Sequence, residues 1–165
     1  MDQDKTLVKS AQSVQDALDK KGLPCTVVVL SDSTRTAVEA AAAIGCDVAQ
    51  IVKSLIFKTQ ATSKPVLILA SGPNRVNEKA IASYVGEKIV KADADFTRET
   101  TGFAIGGIPP IGHKEKIEHI FIDEDLLKFE GVWAAAGTPH AVFNIASEDL
   151  LEMTHGKVIS VTRDV

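Results

Sequence analysis

Apolar residues near the start of the chain recur at helical spacing. Leu7, Ala11, Val14 and Leu18 fall on one stripe, which predicts a helix over residues 6–21 that Gly22 and Pro24 close. The β-branched run Thr26–Leu30 then predicts a buried strand. A polar stretch from Ser31 to Thr36 ends at a helix N-cap position, followed by an alanine-rich helix, Ala37–Ile44, with Gly45 past its end. Asp47 is placed to cap one more short helical turn. Val52–Thr59 reads as a strand, and Val66–Ala70 as its hairpin partner across a polar loop.

Further on, the pattern shortens. Asn77 opens a helix ending at Gly86, Ile89-Val90 makes a short strand, and Asp93 caps a helix ending near Gly102. His119–Ile122, Val132–Ala136, Ala141–Ile145 and Val158–Val161 read as strands, with a last helix capped by Ser147 and ended by Gly156. Helices and strands do not alternate strictly, and four of the last five elements are strands. That order predicts an α+β fold: a mixed, curved or barrel-like sheet with helices around it. No repeat or linker interrupts residues 1–165, so a single domain is expected.

Composition narrows the class without naming a function. Of the 165 residues 45% are hydrophobic and 24% charged, an ordinary globular balance. Met1–Lys5 is polar with no apolar stretch behind it, so neither a leader nor a membrane partner is expected. Cys25 and Cys46 form no CxxC pair, in keeping with a reducing cytoplasm. The net charge of −4 argues against wrapping DNA, because phosphate neutralisation needs a basic excess, and leaves only a local patch for any nucleic acid.

Three features carry chemistry. In the strand VKSLIFKT, alternation puts Lys53, Leu55 and Phe57 on one face and Val52, Ser54 and Ile56 on the other. A lysine sharing a face with Leu and Phe either snorkels at a strand end or is held inward at a site. Second, Gly106-Gly107-Ile108-Pro109-Pro110-Ile111-Gly112 joins permissive and fixed backbone, and so offers amides to a carbonyl or phosphate; otherwise it is a rigid turn. It lacks the Walker and dinucleotide patterns, and His113, Lys114 and Lys116 give it a basic flank. Third, Ala134–Gly137 leads into Thr138-Pro139-His140, where small side chains leave room for a ligand and His140 either takes part or is merely exposed. The histidines have no metal-ligand spacing and no GxSxG elbow occurs, so no metal or cofactor is expected. The Ser71–Arg75 loop reads as a lead into the Asn77 helix rather than a binding element.

Arg35-Thr36 before an alanine-rich helix, Gln50–Leu55, the stretch DADFTRETTGFAIGGIPPIGH and AAAGTPHAVF together resemble the YbaK/EbsC family, which is also the editing domain of bacterial-type prolyl-tRNA synthetases. The resemblance spans nearly the whole chain. It implies a free-standing aminoacyl-tRNA deacylase acting on mischarged tRNA, typically tRNA(Pro) carrying a small non-cognate amino acid, with prolyl-tRNA synthetase as a partner. It places Lys53, Gly106 and Pro110 at catalytic positions. Thr36, Ser54, Gly107, Ile108, Gly112, Gly137 and His140 fall against the substrate, and His113, Lys114 and Lys116 face the tRNA. Thr138-Pro139-His140 departs from the cysteinyl- and alanyl-specific members and is closer to a branch handling other small aliphatic residues. With no activated Ser or Cys in view, the attacking group is expected to be water or the terminal ribose hydroxyl. A non-catalytic tRNA- or synthetase-binding module, and a hydrolase of small esters or nucleotides, are the alternatives.

Overall fold

The computed structural model describes residues 7–162, so the expected helix start at residue 6 lies outside the described residues. In chain order the elements are α1 (Lys9–Lys20), β1 (Val28–Val29), α2 (Ala37–Ile44), β2 (Ile51–Thr59), β3 (Pro65–Ser71), α3 (Glu78–Val85), β4 (Ile89–Lys91), α4 (Ala94–Thr101), β5 (His119–Asp123), β6 (Gly131–Ala135), β7 (Ala141–Ala146), α5 (Ser147–Thr154) and β8 (Lys157–Ile159). The strands form one open mixed sheet in the order β1-β7-β6-β2-β3-β5-β8, with β4 also on β2. This is the mixed α+β sheet with surrounding helices that the element order predicts.

Strand alternation divides the core. Val52 and Ile56 point to one face, where they meet Ala11, Val14 and Leu18 of α1, Leu150 of α5, and Phe103, Ile108 and Ile117. Leu18 is fully buried there, worth about 1.5–3 kcal/mol for a side chain of its size. The opposite face carries two separate clusters. One gathers Phe57, Ile68, Ile81 and Phe121, with Leu55 packed against it. The other gathers Ala40, Ala41 and Ile51, with Trp133 packed against it. Lys53 sits on that second face, between the Ile51 cluster and the Phe57 cluster.

The pairing of β2 explains why a gap exists there. Along one edge β3 pairs antiparallel from Val52 to Lys58, with Lys53 opposite Ala70. Along the other edge, β6 runs parallel and pairs only Ile51 and Val52. β4 runs antiparallel and pairs only Phe57 to Thr59. Residues 53–56 therefore face a window in the sheet. The N–H of Ala92 donates to the Ile56 carbonyl at 3.3 Å, and the N–H of Gln60 donates to the Lys88 carbonyl at 2.8 Å. Even-numbered residues of β2 thus turn their backbone groups to that edge, and Ser54 must do the same.

The segment after α4 closes over the window. The N–H groups of Lys114 and Glu115 donate to the Thr101 and Thr100 carbonyls, at 3.0 and 2.9 Å, which ties its far end to α4. Gly107 packs so closely on the 137–140 turn that an added methyl would meet Thr138 backbone atoms at 2.9 Å. The Nε2–H of His113 donates to the Pro109 carbonyl at 2.7 Å, bracing the Pro109-Pro110 corner from inside.

Several boundaries differ from the sequence pattern, each for a local reason. The expected strand Thr26–Leu30 is paired only at Val28 and Val29, against β7. Just before it, the Gln15 side chain of α1 donates to the Cys25 carbonyl and accepts from the Val27 N–H, replacing ladder partners. Ser147 lies inside α5 rather than capping it, because its hydroxyl donates to the Phe129 carbonyl at 2.6 Å. That helix ends at His155, which holds φ 55°, one residue before Gly156. A 3-10 turn at Glu124–Lys128 has no counterpart in the sequence pattern.

Burial pushes the His113 imidazole below its ordinary pKa, with the Pro109 hydrogen bond opposing in part. The unfolded chain therefore binds more protons at mildly acid pH, so stability falls as pH drops through the unfolded value near 6.5. Urea unfolding between pH 7.5 and 5.5 checks this: the loss of stability with acid is expected to be shallower in His113→Gln than in the parent.

Candidate functional site

Lys53 is inward and half-buried, and its ammonium donates to the Asn74 carbonyl at 2.6 Å. Burial lowers its pKa, the Asp123 carboxylate pulls it back up, and the Arg75 guanidinium pushes it down again. Asn74 is in turn fixed from beneath. Its side-chain amide donates to Asp123 Oδ2 and to Asp125 Oδ2, both at 2.7 Å, and its N–H donates to the Ser71 carbonyl at 2.9 Å. Asp123 is 1% exposed and also accepts from the N–H groups of Ser71, at 3.0 Å, and Asp125, at 2.9 Å. A buried carboxylate thus holds the turn whose carbonyl holds Lys53.

Two cavities open at the window, with Lys53, Ser54, Leu55, Ile105 and Ile108 lining both. The first, about 470 Å³, lies against α2 and β6; Ala37, Ala40, Ala135, Ile44 and Trp133 give it a small, mostly apolar wall. Thr36 lines it while capping α2, its hydroxyl accepting from the Glu39 N–H at 3.1 Å and the Glu39 side chain accepting from the Thr36 N–H at 3.2 Å. The second, about 570 Å³, lies toward α3 and β4 and is lined by Asn74, Arg75 and Lys91.

Donors gather where the cavities meet. Ser54 N–H faces the window with no ladder partner, and Ser54 Oγ is buried with no hydrogen-bond partner among the described residues. Leaving such a hydroxyl unpaired costs about 1–3 kcal/mol. Gly106 and Ile108 line the first cavity, and their N–H groups have no partner among the described residues. Gly106 holds φ +99°, a backbone conformation that favours glycine, and an added methyl would also come to 3.1 Å from Arg35 Cγ.

The structure brings Lys53, Ser54, Thr36, Gly106 and Ile108 to one cavity and leaves the other sequence-derived site residues off its lining. Pro110 is buried behind the loop. The Gly107 N–H is already donated to the Ala104 carbonyl at 3.1 Å, and the Gly137 N–H to the Gly107 carbonyl at 2.9 Å. Neither amide is free to hold a substrate carbonyl, so any contact these two glycines make with a substrate is not through their N–H groups. Gly112 packs toward Ala17 of α1. His140 has an exposed side chain, and its carbonyl accepts from the Leu30 N–H at 2.7 Å. His113 braces Pro109, while Lys114 and Lys116 are exposed and line neither cavity.

Asn74, Arg75, Lys91 and Asp123 join the site without any mark in the sequence pattern, and Arg35, marked there only as part of the motif before α2, lines the first cavity. The Ser71–Arg75 loop does lead into α3, as expected, but Asn74 and Arg75 also line the second cavity. The signal that finds them is three-dimensional: β3 pairs with β2, so the end of β3 returns beside Lys53. Cys25 and Cys46 are not activated thiols, since burial, reinforced by Asp149 for one and Asp47 for the other, raises both pKa values. Among the described residues no cluster of His, Cys, Asp and Glu is placed to hold a metal ion.

Fold and cleft together define a mixed-sheet domain with a small apolar chamber beside a cationic one. The chain belongs to the aminoacyl-tRNA editing domain family, which matches residues 31–153. It is 30% identical over 139 residues to the uncharacterized protein YwhH of Bacillus subtilis (strain 168), covering 84% of this chain and 87% of that one. It is 28% identical to EbsC of Enterococcus faecalis (strain ATCC 700802 / V583), described as a candidate Cys-tRNA(Pro)/Cys-tRNA(Cys) deacylase, over 68% of this chain and 71% of that one. A crystal structure described as a candidate trans-editing enzyme for prolyl tRNA synthetase superposes with TM-score 0.89 at 43% identity, covering 96% of this chain and 99% of that one.

Asp123→Ala removes the acceptor shared by Ser71, Asn74 and Asp125. At about 1–3 kcal/mol per stranded donor, chemical denaturation is expected to show a loss of roughly 3 kcal/mol or more. A loss under about 0.5 kcal/mol, the scale of an ordinary surface substitution, would show that the hub does not hold the turn.

Proposed function

We propose that the protein is a trans-editing deacylase that hydrolyses the ester of mischarged tRNA, with tRNA(Pro) bearing a small non-cognate amino acid as its substrate. The observation that carries this reading is Lys53, desolvated and bonded to Asn74 at the window where unpaired amide donors meet an alanine-lined cavity. The acyl group enters the first cavity. Its carbonyl is held at the window by Ser54 and by the amides of Gly106 and Ile108, so negative charge that develops on the oxygen meets fixed donors. Lys53 adds a positive charge on the same rim.

The first cavity is lined by no His, Cys, Asp or Glu, and its one amine, Lys53, is engaged as a donor to the Asn74 carbonyl, so no free side-chain base stands beside a protein nucleophile. Attack therefore falls to a water molecule or to the neighbouring hydroxyl of the terminal ribose, with the protein contributing position and electrostatics. The wall of Ala37, Ala40, Ile44, Trp133 and Ala135 suits an uncharged side chain, and a difference of one methylene is worth only about 1–3 kcal/mol of discrimination. The free-standing editing step would follow charging by a prolyl-tRNA synthetase in the cytoplasm, a role in line with the trans-editing relative above.

Deacylation of Ala-, Cys-, Ser- and 2-aminobutyryl-tRNA(Pro) tests the proposal. At least one ester is expected to be lost well above the buffer rate, and Lys53→Ala is expected to lower that rate by about 10²–10³-fold, the scale of a lost transition-state donor. Buffer-level loss of every ester, or full activity in Lys53→Ala, would overturn it. Tight binding of mischarged tRNA without turnover would instead mark a non-catalytic module.

A further inference from the structure

The second cavity is not explained by an acyl pocket. Lys53, Arg75 and Lys91 line it together with a single acid, Glu78. Among the described residues neither Arg75 nor Lys91 has an ion-pair or hydrogen-bond partner, and both side chains are exposed. Cations gathered in one concavity of a chain with net charge −4 raise the local potential for an anion. The Arg75 charge already disfavours the Lys53 ammonium, so an anion here would relieve the repulsion between them.

The cations stand on fixed backbone. Arg75 follows Asn74, whose amide is tied down by Asp123 and Asp125, and Lys91 ends β4 opposite Phe57 of β2. Both chambers share Lys53, Ser54, Leu55, Ile105 and Ile108, so they adjoin along that rim. In an aminoacyl nucleotide the acyl group leaves the ribose on one side and the 5′ phosphodiester leaves it on the other. With the acyl group in the first chamber, the backbone phosphate falls toward the second.

We infer that the second cavity is a phosphate subsite, in which Arg75 and Lys91 hold the phosphodiester on the 5′ side of the acylated nucleotide. The inference rests on the deacylase reading for its choice of ligand and replaces the Lys114–Lys116 flank as the RNA-facing patch. Arg75 supplies a planar fork matched to two phosphate oxygens, and Lys91 a point charge. Lys53 stays at the junction, bonded to Asn74.

The probe is an uncharged, fluorescently labelled RNA minihelix with a single-stranded CCA end, titrated with protein at several salt concentrations. The double variant Arg75→Ala/Lys91→Ala is expected to bind at least tenfold more weakly than the parent. Its log–log salt slope is expected to be shallower by about 0.7 for each single-strand phosphate that the variant no longer neutralises. In hydrolysis assays the double variant should lower kcat/KM for aminoacyl-tRNA, chiefly through KM, by a much larger factor than for an aminoacyl-adenosine without phosphate. Unchanged RNA binding, absence of salt-dependent binding by the parent, or an equal loss on the phosphate-free substrate would overturn the inference. So would a loss that follows Lys114→Ala/Lys116→Ala instead. If the parent binds RNA through Arg75 and Lys91 yet hydrolyses no ester, the deacylase reading fails and the subsite stands. If esters are hydrolysed and the double variant matches the parent, the reverse holds.

Discussion

The site depends on an interruption in sheet pairing. β2 has a continuous partner in β3 but shares its other edge between β6 and β4, which come from distant parts of the chain and run in opposite directions along it. Between them that edge of β2 has no strand pairing from residue 53 to residue 56, and among the described residues only the Ile56 carbonyl there is met, by the Ala92 N–H. Elsewhere an open edge invites association or must be covered. Here the 103–118 segment covers it, incompletely, with Ile105, Gly106 and Ile108 at the rim.

Other features follow from that gap. A lysine on a face shared with Ile51 and Phe57 is tolerable only where the apolar packing divides, and the two clusters divide at Lys53. Its desolvation is partly offset by the Asn74 carbonyl and by the buried Asp123 charge behind it. Ser54, on the opposite face, leaves a buried hydroxyl without a partner at the same place. Unsatisfied groups of this kind are costly and rare in folded proteins. The unpaired Ser54 hydroxyl lies at one window with amides that the loop leaves free, and the proposed acyl site rests on that coincidence.

Much of this was legible in the sequence. Alternation assigned Lys53 and Ser54 to opposite faces of β2, and cap residues located α2, α3 and α4, because both are local properties of a few consecutive residues. The Gly106–Gly112 segment was recognisable as a rigid, amide-presenting loop, yet which amides stay free was not. The Gly107 and Gly137 N–H groups are used by partners that only the folded chain brings near. The cations of the second cavity were hidden for the same reason. His113, Lys114 and Lys116 are consecutive or nearly so and read as a patch, whereas Arg75 and Lys91 are sixteen positions apart and converge only because β3 and β4 both pair with β2. Asp123, buried at the end of β5, carries no sequence mark at all.

The central claim is that the acyl ester is held at the β2 window between Lys53 and the Gly106–Ile108 amides. Amide-resolved NMR of the protein titrated with a non-hydrolysable analogue, an aminoacyl-adenosine in which an amide replaces the ester, locates the ligand without relying on turnover. The account predicts that the largest shifts fall on the backbone amides of Ser54, Gly106 and Ile108, together with the Lys53 ammonium. Shifts that leave these unmoved and gather instead at Gly112–Lys116, or around Gly137–His140, would contradict it.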